Sequence, residues 1–442
     1  MRELFAGVLP PVVLRRVVFL LLLVVGVGLI SCSGDSADSA DGPDVVPTAT
    51  SESPTPEPTS TAAPTSVPVV VVVIPDSSLQ AAVRLALGKP TGDITDLDML
   101  GLTEFAAAGQ GISDMTGLEY ATNLTSLNLR VNQLSDISLV AGLTNLTSLS
   151  LGGLQILEIS AVAELTNLTE LSMWNTDVID MSPVAGLVNL ETLGFLGSQI
   201  NDISAVEGLT RLKVLNLTHG LITDISPVSG LDKLETLQLS ENRFTDISPV
   251  ASLSQLTKLQ LAGNAIDDIS PVAGLTNLES LNLRGNLIVD IAPVAGLTNL
   301  SELQLFDNQI DDISPVSGLM KLTTLRLYQN QITDISPVMG LVGLSRLYLS
   351  DNMIVDVSPV AKLTSLTVLH LDGNEIDDVM PVSDLKNLEN LDLLNNQIDD
   401  IGDLTGLTKL SLLKLNGNPL GAEAYGVHIP ALQLLGAVVT FD

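Results

Sequence analysis

The sequence predicts an α/β solenoid: one parallel β-sheet of short strands, wound back through 3-10 or extended segments, with a small helical cap at its N-terminal end. Three observations carry this. A 22-residue block of the form Leu-x-x-Leu-x-Leu-x-x-Asn-x-Ile-x-Asp-Ile-x-Pro-Val-x-x-Leu-x-x recurs without slippage from Leu102, through Leu124, Leu146 and Leu168, to Leu410. A fixed period of this length means stacked supersecondary units, each touching only its neighbours. Within a block, Leu281 and Leu283 alternate with Ser280, Asn282 and Arg284, the period of a strand with one apolar face. Pro293 then opens the return stretch, where its fixed φ and missing N–H suit a short 3-10 or extended segment.

In chain order, residues 1–31 read as a secretory leader. Arg15 and Arg16 precede an apolar run, Val17 to Ile30, that is short for a membrane span. It closes on Leu29-Ile30-Ser31-Cys32, which resembles the bacterial lipobox and so implies lipidation at Cys32, the chain's one cysteine. A lone cysteine leaves no disulfide framework. Two or more acyl chains would anchor the protein stably.

Residues 32–68 are Ser, Thr, Pro, Asp, Ala and Glu in large part, without Lys, Arg or aromatic residues. Such a composition buries too little apolar surface to offset its ordering entropy, so this segment reads as a disordered tether. Fully stretched it would reach roughly 110 Å.

Residues 69–101 form the expected N-terminal cap. Val69 to Ile74 is a run of β-formers that either pairs as a first strand or packs on the cap. Pro75 to Leu87 reads as a helix with Asp76 as N-cap and an apolar face of Leu79, Ala82, Val83, Leu85 and Leu87, ended by Gly88 and Pro90. Repeats fill residues 102–417, about 14 of them. Residues 418–442 close the stack, with a strand-like Ala437–Phe441.

Two columns of polar residues run through the repeats. Asn132, and every 22nd residue from Asn242 to Asn418, stands where the strand turns, and an amide there can satisfy open backbone groups. Leu154, Thr176, Ser198 and Gly220 interrupt that column, which predicts a less regular stretch. Asp136, and every 22nd residue from Asp180 to Asp400, forms the second column. Aspartate before Ile-Ser-Pro is a good turn former, whereas calcium needs six to eight oxygens converging on a point, which a single file does not offer. No metal site and no cofactor is expected. The Asn-Leu-Thr triplets at Asn123, Asn145, Asn167 and Asn216 fall out of the repeat and are discounted as glycosylation sites.

The repeat resembles the 22-residue leucine-rich repeat of bacterial internalin-type surface proteins. The signature is carried by Leu322, Leu325, Leu327, Asn330, Ile332, Asp334, Pro337 and Val338. The segment from Ile74-Pro75-Asp76 to Lys89-Pro90 also resembles the one preceding such repeats in secreted bacterial proteins. The resemblance implies a right-handed, curved superhelix that binds ligands on its concave sheet. Val after the proline, where the family more often has Leu, is a departure, as is the lack of a visible sortase motif, which fits a lipid anchor.

The residues beside the paired leucines are mostly Ser, Thr, Asn, Gln or Gly. One stretch differs. Arg326, Tyr348 and His370 share one repeat position, Arg284, Phe306 and Tyr328 another, and Arg346 lies alongside. Aromatics are only 3% of the chain, and Tyr, Trp and Arg carry interface hot spots, so this is the expected partner-binding patch. A second candidate is Trp174 with Leu196 and Gly152, Gly153, Gly194 and Gly197, read as a shallow apolar recess.

The net charge of −32 should repel nucleic acid and anionic membranes. No catalytic residues are expected, because His219 and His370 lie about seven repeats apart, roughly 34 Å along the stack, far beyond the contact acid–base pairs need. The expectation is therefore a monomeric, lipid-anchored, extracytoplasmic protein that is not an enzyme and binds a protein through its concave sheet. A glycan ligand and a spacer role without a single ligand are the alternatives.

Overall fold

The structure is a computed structural model, and it describes residues 69–442; the leader, the tether and Cys32 lie outside the described residues. Fifteen strands of three residues, β1 (Glu104–Ala106) to β15 (Leu412–Lys414), succeed one another at the 22-residue period, and a sixteenth, β16 (Val438–Thr440), follows. All lie parallel in one open sheet in sequence order. Every pairing joins residues 22 apart from β1 to β15, as in Phe105 to Leu127 and Leu391 to Leu413. Strands this short are stable only because the central residue of each is an apolar side chain turned into the stack.

Short 3-10 segments make the return, such as Ala292–Gly296 with proline in its first turn. The core is one continuous column of Leu, Ile and Val, nearly all fully buried, running the length of the stack. The chain is thus a repeat solenoid, with the sheet as its one broad regular face.

The asparagine column does what its chemistry allows. Asn286 Nδ2 donates to the carbonyls of Leu261, Leu283 and Arg284, while its Oδ1 accepts from the Ile266 N–H. One side chain thereby satisfies backbone groups of two successive repeats, all but the Arg284 carbonyl shut away from water. The interruption at Leu154, Thr176, Ser198 and Gly220 is more regular than expected, since pairing from β3 (Ser148–Ser150) to β6 (Val214–Asn216) keeps its register. Leu154 is buried as core instead, and the Thr176 and Ser198 hydroxyls face each other at 3.4 Å. A local fault falls elsewhere: Phe244 occupies the usual Ile position, and the buried Asn264 Oδ1 there meets no partner.

All twelve aspartates of the second column accept the N–H two residues on, at 2.7 to 2.8 Å, and so start the return segment. The triplet asparagines Asn123, Asn145 and Asn167 donate to a carbonyl of the preceding repeat; Asn216 accepts from the Thr218 N–H.

A feature absent from the sequence reading is the residue before each turn asparagine position. From Gly109 to Gly417 it holds a positive φ in every repeat, yet only seven of these fifteen are glycine. The others include Val131 at φ 56°, an unfavourable conformation for a β-branched residue.

At the N-terminal end, Val69–Ile74 joins no strand of the main sheet. It runs antiparallel to the segment around Thr95 through a single bridge, with Val72 and Ile74 turned inward. Helix α1 (Ser77–Ala86) follows, capped by Asp76, whose Oδ1 accepts from the Ser78 and Leu79 N–H groups. Its other oxygen accepts from the Ser113 N–H and hydroxyl and from Asp114, fastening the cap to the first turn. The apolar face of α1 is narrower than expected: Leu79 and Val83 are buried, Ala82 and Leu87 pack partly, and Leu85 points outward, 84% exposed.

Helix α2 (Asp96–Met99) is held by a reciprocal cap between Thr95 and Asp98. The Lys89 ammonium bonds the Asp98 carboxylate at 2.6 Å, and with the Thr95 hydroxyl and N–H it pulls the Asp98 pKa down to about 2. The unfolded value is near 3.8, so between these two pH values the unfolded chain binds the extra proton and stability falls as pH falls. An Asp98→Asn chain is expected to melt below the parent at pH 5, with the difference gone near pH 2. Thermal melts of both proteins across that range measure it, and a difference that persists at pH 2 contradicts the assignment.

At the other end, a wide helical turn, Ala424–His428, runs into α3 (Ile429–Leu434), a helix the sequence reading did not contain. Strand β16 pairs Leu413 with Val439 and closes the sheet.

Candidate functional site

The patch residues occupy the sheet face of β9 (Ser280–Asn282) through β13 (Val368–His370) and the turns just after those strands. Their spacing of 22 sets one residue beside the next, and the register pairs Arg326 with Tyr348 and Tyr348 with His370. The middle leucines Leu325, Leu347 and Leu369 are fully buried beneath, so the flanking side chains must face outward.

In the column just past the strands, the rings of Phe306 and Tyr328 stack at 4.0 Å between centroids and 16° between planes. The Arg284 guanidinium lies 5.6 Å from the Phe306 ring centre. In the strand column, Arg326 lies 5.2 Å from the Tyr348 ring centre, and Tyr348 meets His370 edge to face at 4.9 Å. All seven expected residues except Arg346 are half-buried, and Arg346 is exposed. Burial raises the Tyr328 phenol pKa, against the pull of Arg284 and Arg326.

The arginines are less of a positive island than their number implied. Arg284 pairs with Glu241 at 3.0 Å and Arg326 with Glu302 at 2.6 Å. Arg346 reaches only the Thr324 hydroxyl, at 3.4 Å. Among the described residues, one cation of the three therefore stands without an acidic partner on this face.

Beyond His370 the strand column continues into Asp392, on β14 (Asn390–Asp392), and Lys414 on β15. Asp392, absent from the expected patch, is 3% exposed and bonded to Lys414 at 2.6 Å. One ligating atom each from His370, Asp372 and Asp392 falls within 4.8 Å of the other two. The signal that could have found the triad was the 22-residue spacing itself. Burial holds the His370 pKa below its ordinary value, partly offset by Asp392 and Asp372, and the Asp351 carboxyl alongside is pushed up by burial and by Asp372.

The second candidate differs from its expectation. A methyl group added to Gly152 would overlap the pyrrole side of the Trp174 ring, and one on Gly153 would touch its benzene side. The indole thus lies flat on the two glycines of the preceding repeat, filling the expected recess, and Leu196 follows one repeat further along the same column. Trp174 is the chain's one tryptophan and reports on this packing directly. Gly152→Ala is expected to lift the ring and shift its fluorescence emission to the red by several nanometres, without loss of the fold as read by circular dichroism. Unchanged emission would mean the ring is not seated there.

The backbone of these repeats has close structural relatives. An internalin, inlF, of Listeria monocytogenes strain 4b F2365 superposes with a TM-score of 0.71 at 36% identity, over 73% of this chain and 96% of that one. This chain belongs to the bacterial internalin-type leucine-rich repeat proteins. The leucine-rich repeat family model matches residues 210–266 and 232–288, and the two-copy leucine-rich repeats model matches 122–164, 276–319, 298–338 and 342–387. A leucine-rich repeat protein of Leptospira interrogans superposes with a TM-score of 0.70 at 26% identity, over 78% of this chain and 97% of that one. Internalin H of Listeria monocytogenes serovar 1/2a is 36% identical over 66 residues, a match spanning 14% of this chain and 12% of that protein. On the sheet, the buried core takes the middle position of each strand, and the residues on either side of it face outward. Among the described residues, no helix is long and apolar enough to cross a membrane.

Proposed function

We propose that this internalin-type solenoid is a lipid-anchored, extracytoplasmic binding protein, not an enzyme, and that it takes a protein partner on the sheet face at Arg284, Phe306, Arg326, Tyr328, Arg346, Tyr348 and His370. The observation that carries this reading is the pair of adjacent columns in which aromatic rings and guanidinium groups are already packed against one another. Rings held by their neighbours lose little conformational freedom when a partner arrives, which is the economy a hot spot needs. Arg346, solvent-exposed beside Tyr348, offers the free charge for a carboxylate on that partner.

The same packing disfavours a glycan. Sugar rings need open aromatic faces, yet Phe306 lies between Tyr328 and Arg284, and Arg326 covers one face of Tyr348. Cys32 supplies the anchor and residues 32–68 the tether, on the sequence pattern alone; a mass shift from incorporated fatty acid, absent in Cys32→Ser, tests that part.

The binding site is tested with residues 69–442 and an Arg346→Ala/Tyr348→Ala variant as parallel baits for cell-envelope extracts, followed by titration of any captured protein in purified form. Two hot-spot truncations are expected to weaken the parent's affinity by at least about 30-fold. Equal capture and equal affinity by both baits would place the binding site off this patch, and no specific capture by either would leave the spacer role standing.

A further inference from the structure

We propose that His370, Asp372 and Asp392 form a binding site for one divalent transition-metal ion of the zinc class on the sheet face, independent of any protein partner. Two neighbouring repeats supply it: His370 ends β13, Asp372 sits two residues on, and Asp392 is the register partner of His370 on β14. Ligating atoms of the three converge within 4.8 Å, a separation that small side-chain rotations close onto a single ion with bonds of about 2.0–2.2 Å.

The donor set selects the metal. One imidazole and two carboxylates suit Zn²⁺, Co²⁺ or Mn²⁺, and offer too few oxygens for Ca²⁺. The His370 Nε2 is sealed from solvent and meets no polar partner among the protein atoms, so this imidazole is not engaged as an ordinary core hydrogen-bonding group. Neighbouring groups hold the carboxylates. The Ser350 hydroxyl bonds Asp372 Oδ1 at 2.5 Å, while Lys414 bonds Asp392 Oδ2 and the Leu394 N–H donates to Asp392 Oδ1 at 3.3 Å, so both carboxylates are oriented from outside the triad and keep lone pairs for an ion. The Lys414 ammonium is the one feature that opposes a cation, and it gives the proposal a test of opposite sign.

This arrangement differs from the aspartate column on the return side, where each carboxylate is spent on its own turn. It also leaves the ion short of its usual coordination, because three protein ligands leave at least one position for a water or another ligand.

The experiment is calorimetric titration of the full chain with ZnCl₂, repeated for His370→Ala, Asp372→Asn and Lys414→Met, with Co²⁺ absorption as a second readout. The parent is expected to bind one ion at micromolar or tighter dissociation constant and to show the visible absorption of low-coordinate cobalt. His370→Ala and Asp372→Asn are expected to weaken that one site at least tenfold, and Lys414→Met to tighten it several-fold. Circular dichroism of each variant without metal checks that the fold is kept. Binding that is absent in the parent, or that is the same in the parent and His370→Ala as for loose attraction to an acidic surface, overturns the proposal. So does weaker binding by Lys414→Met.

Discussion

Replacing Asn374 by alanine is expected to destabilise the folded chain by about 3–5 kcal/mol, the sum of several buried polar groups losing their partners at about 1–3 kcal/mol each with some relief from entering water. Asn374 Nδ2 donates to the carbonyls of Leu349, Leu371 and Asp372, and its Oδ1 accepts from the Ile354 N–H at 3.1 Å. The side chain is 7% exposed. Alanine therefore leaves the Ile354 amide and the buried carbonyls of Leu349 and Leu371 facing an apolar interior, in two repeats at once, while the Asp372 carbonyl is only partly buried. An Asn374→Asp chain sharpens the reading. It keeps the shape and the acceptor, loses both donated protons, and sets a carboxylate against carbonyl oxygens, so it should be no better than alanine. Urea denaturation followed by circular dichroism measures both. A change below about 0.5 kcal/mol, the level of an ordinary surface substitution, would show the amide column to be dispensable.

That prediction rests on what a reader of the sequence already sees, and it marks where legibility stops. The stacked strands, the 3-10 returns and the roles of the Asn and Asp columns follow from repetition, because each choice is made many times and chance similarities average out. Features that occur once are harder to read. The outward Leu85 and the helix at Ile429–Leu434 belong to the two ends, where no neighbour repeats the pattern. The left-handed residue before each turn asparagine position was hidden because glycine fills fewer than half of those places, the others adopting the conformation under the constraint of the stack.

The candidate site divides in the same way. The two columns of the patch were legible from the 22-residue spacing alone. Their electrostatics were not, because Arg284 reaches back 43 residues to Glu241 and Arg326 reaches 24 to Glu302, diagonals that no single column displays. The burial of Asp392 was equally invisible: its position alternates outward like its neighbours', and only the packing of Lys414 and His370 around it closes it off from water.

Leu347→Ala is expected to lower stability by about 2–5 kcal/mol, the usual cost of truncating a buried leucine. Where along the chain that loss is felt depends on the architecture. Leu347 is fully buried at the centre of β12 (Arg346–Tyr348), paired with Leu325 on one side and Leu369 on the other. In a stack held together by nearest-neighbour interfaces, a cavity there weakens one repeat and both of its contacts. Hydrogen exchange should therefore quicken from β11 (Thr324–Arg326) to β13 and leave the N-terminal repeats less affected. The equivalent Leu413→Ala, on β15, is expected to fray only the C-terminal end, with protection from β1 to β10 (Glu302–Gln304) unchanged. Exchange that quickens evenly along the whole chain in Leu413→Ala would mean the solenoid unfolds as one unit and the nearest-neighbour picture is wrong. The central location has a consequence for binding. Leu347 touches no partner, yet it supports the backbone between Arg346 and Tyr348, so its truncation would loosen the patch without removing a contact. A lost interaction identifies the binding surface only when the substituted residue faces outward and the exchange pattern of β11 to β13 is unchanged.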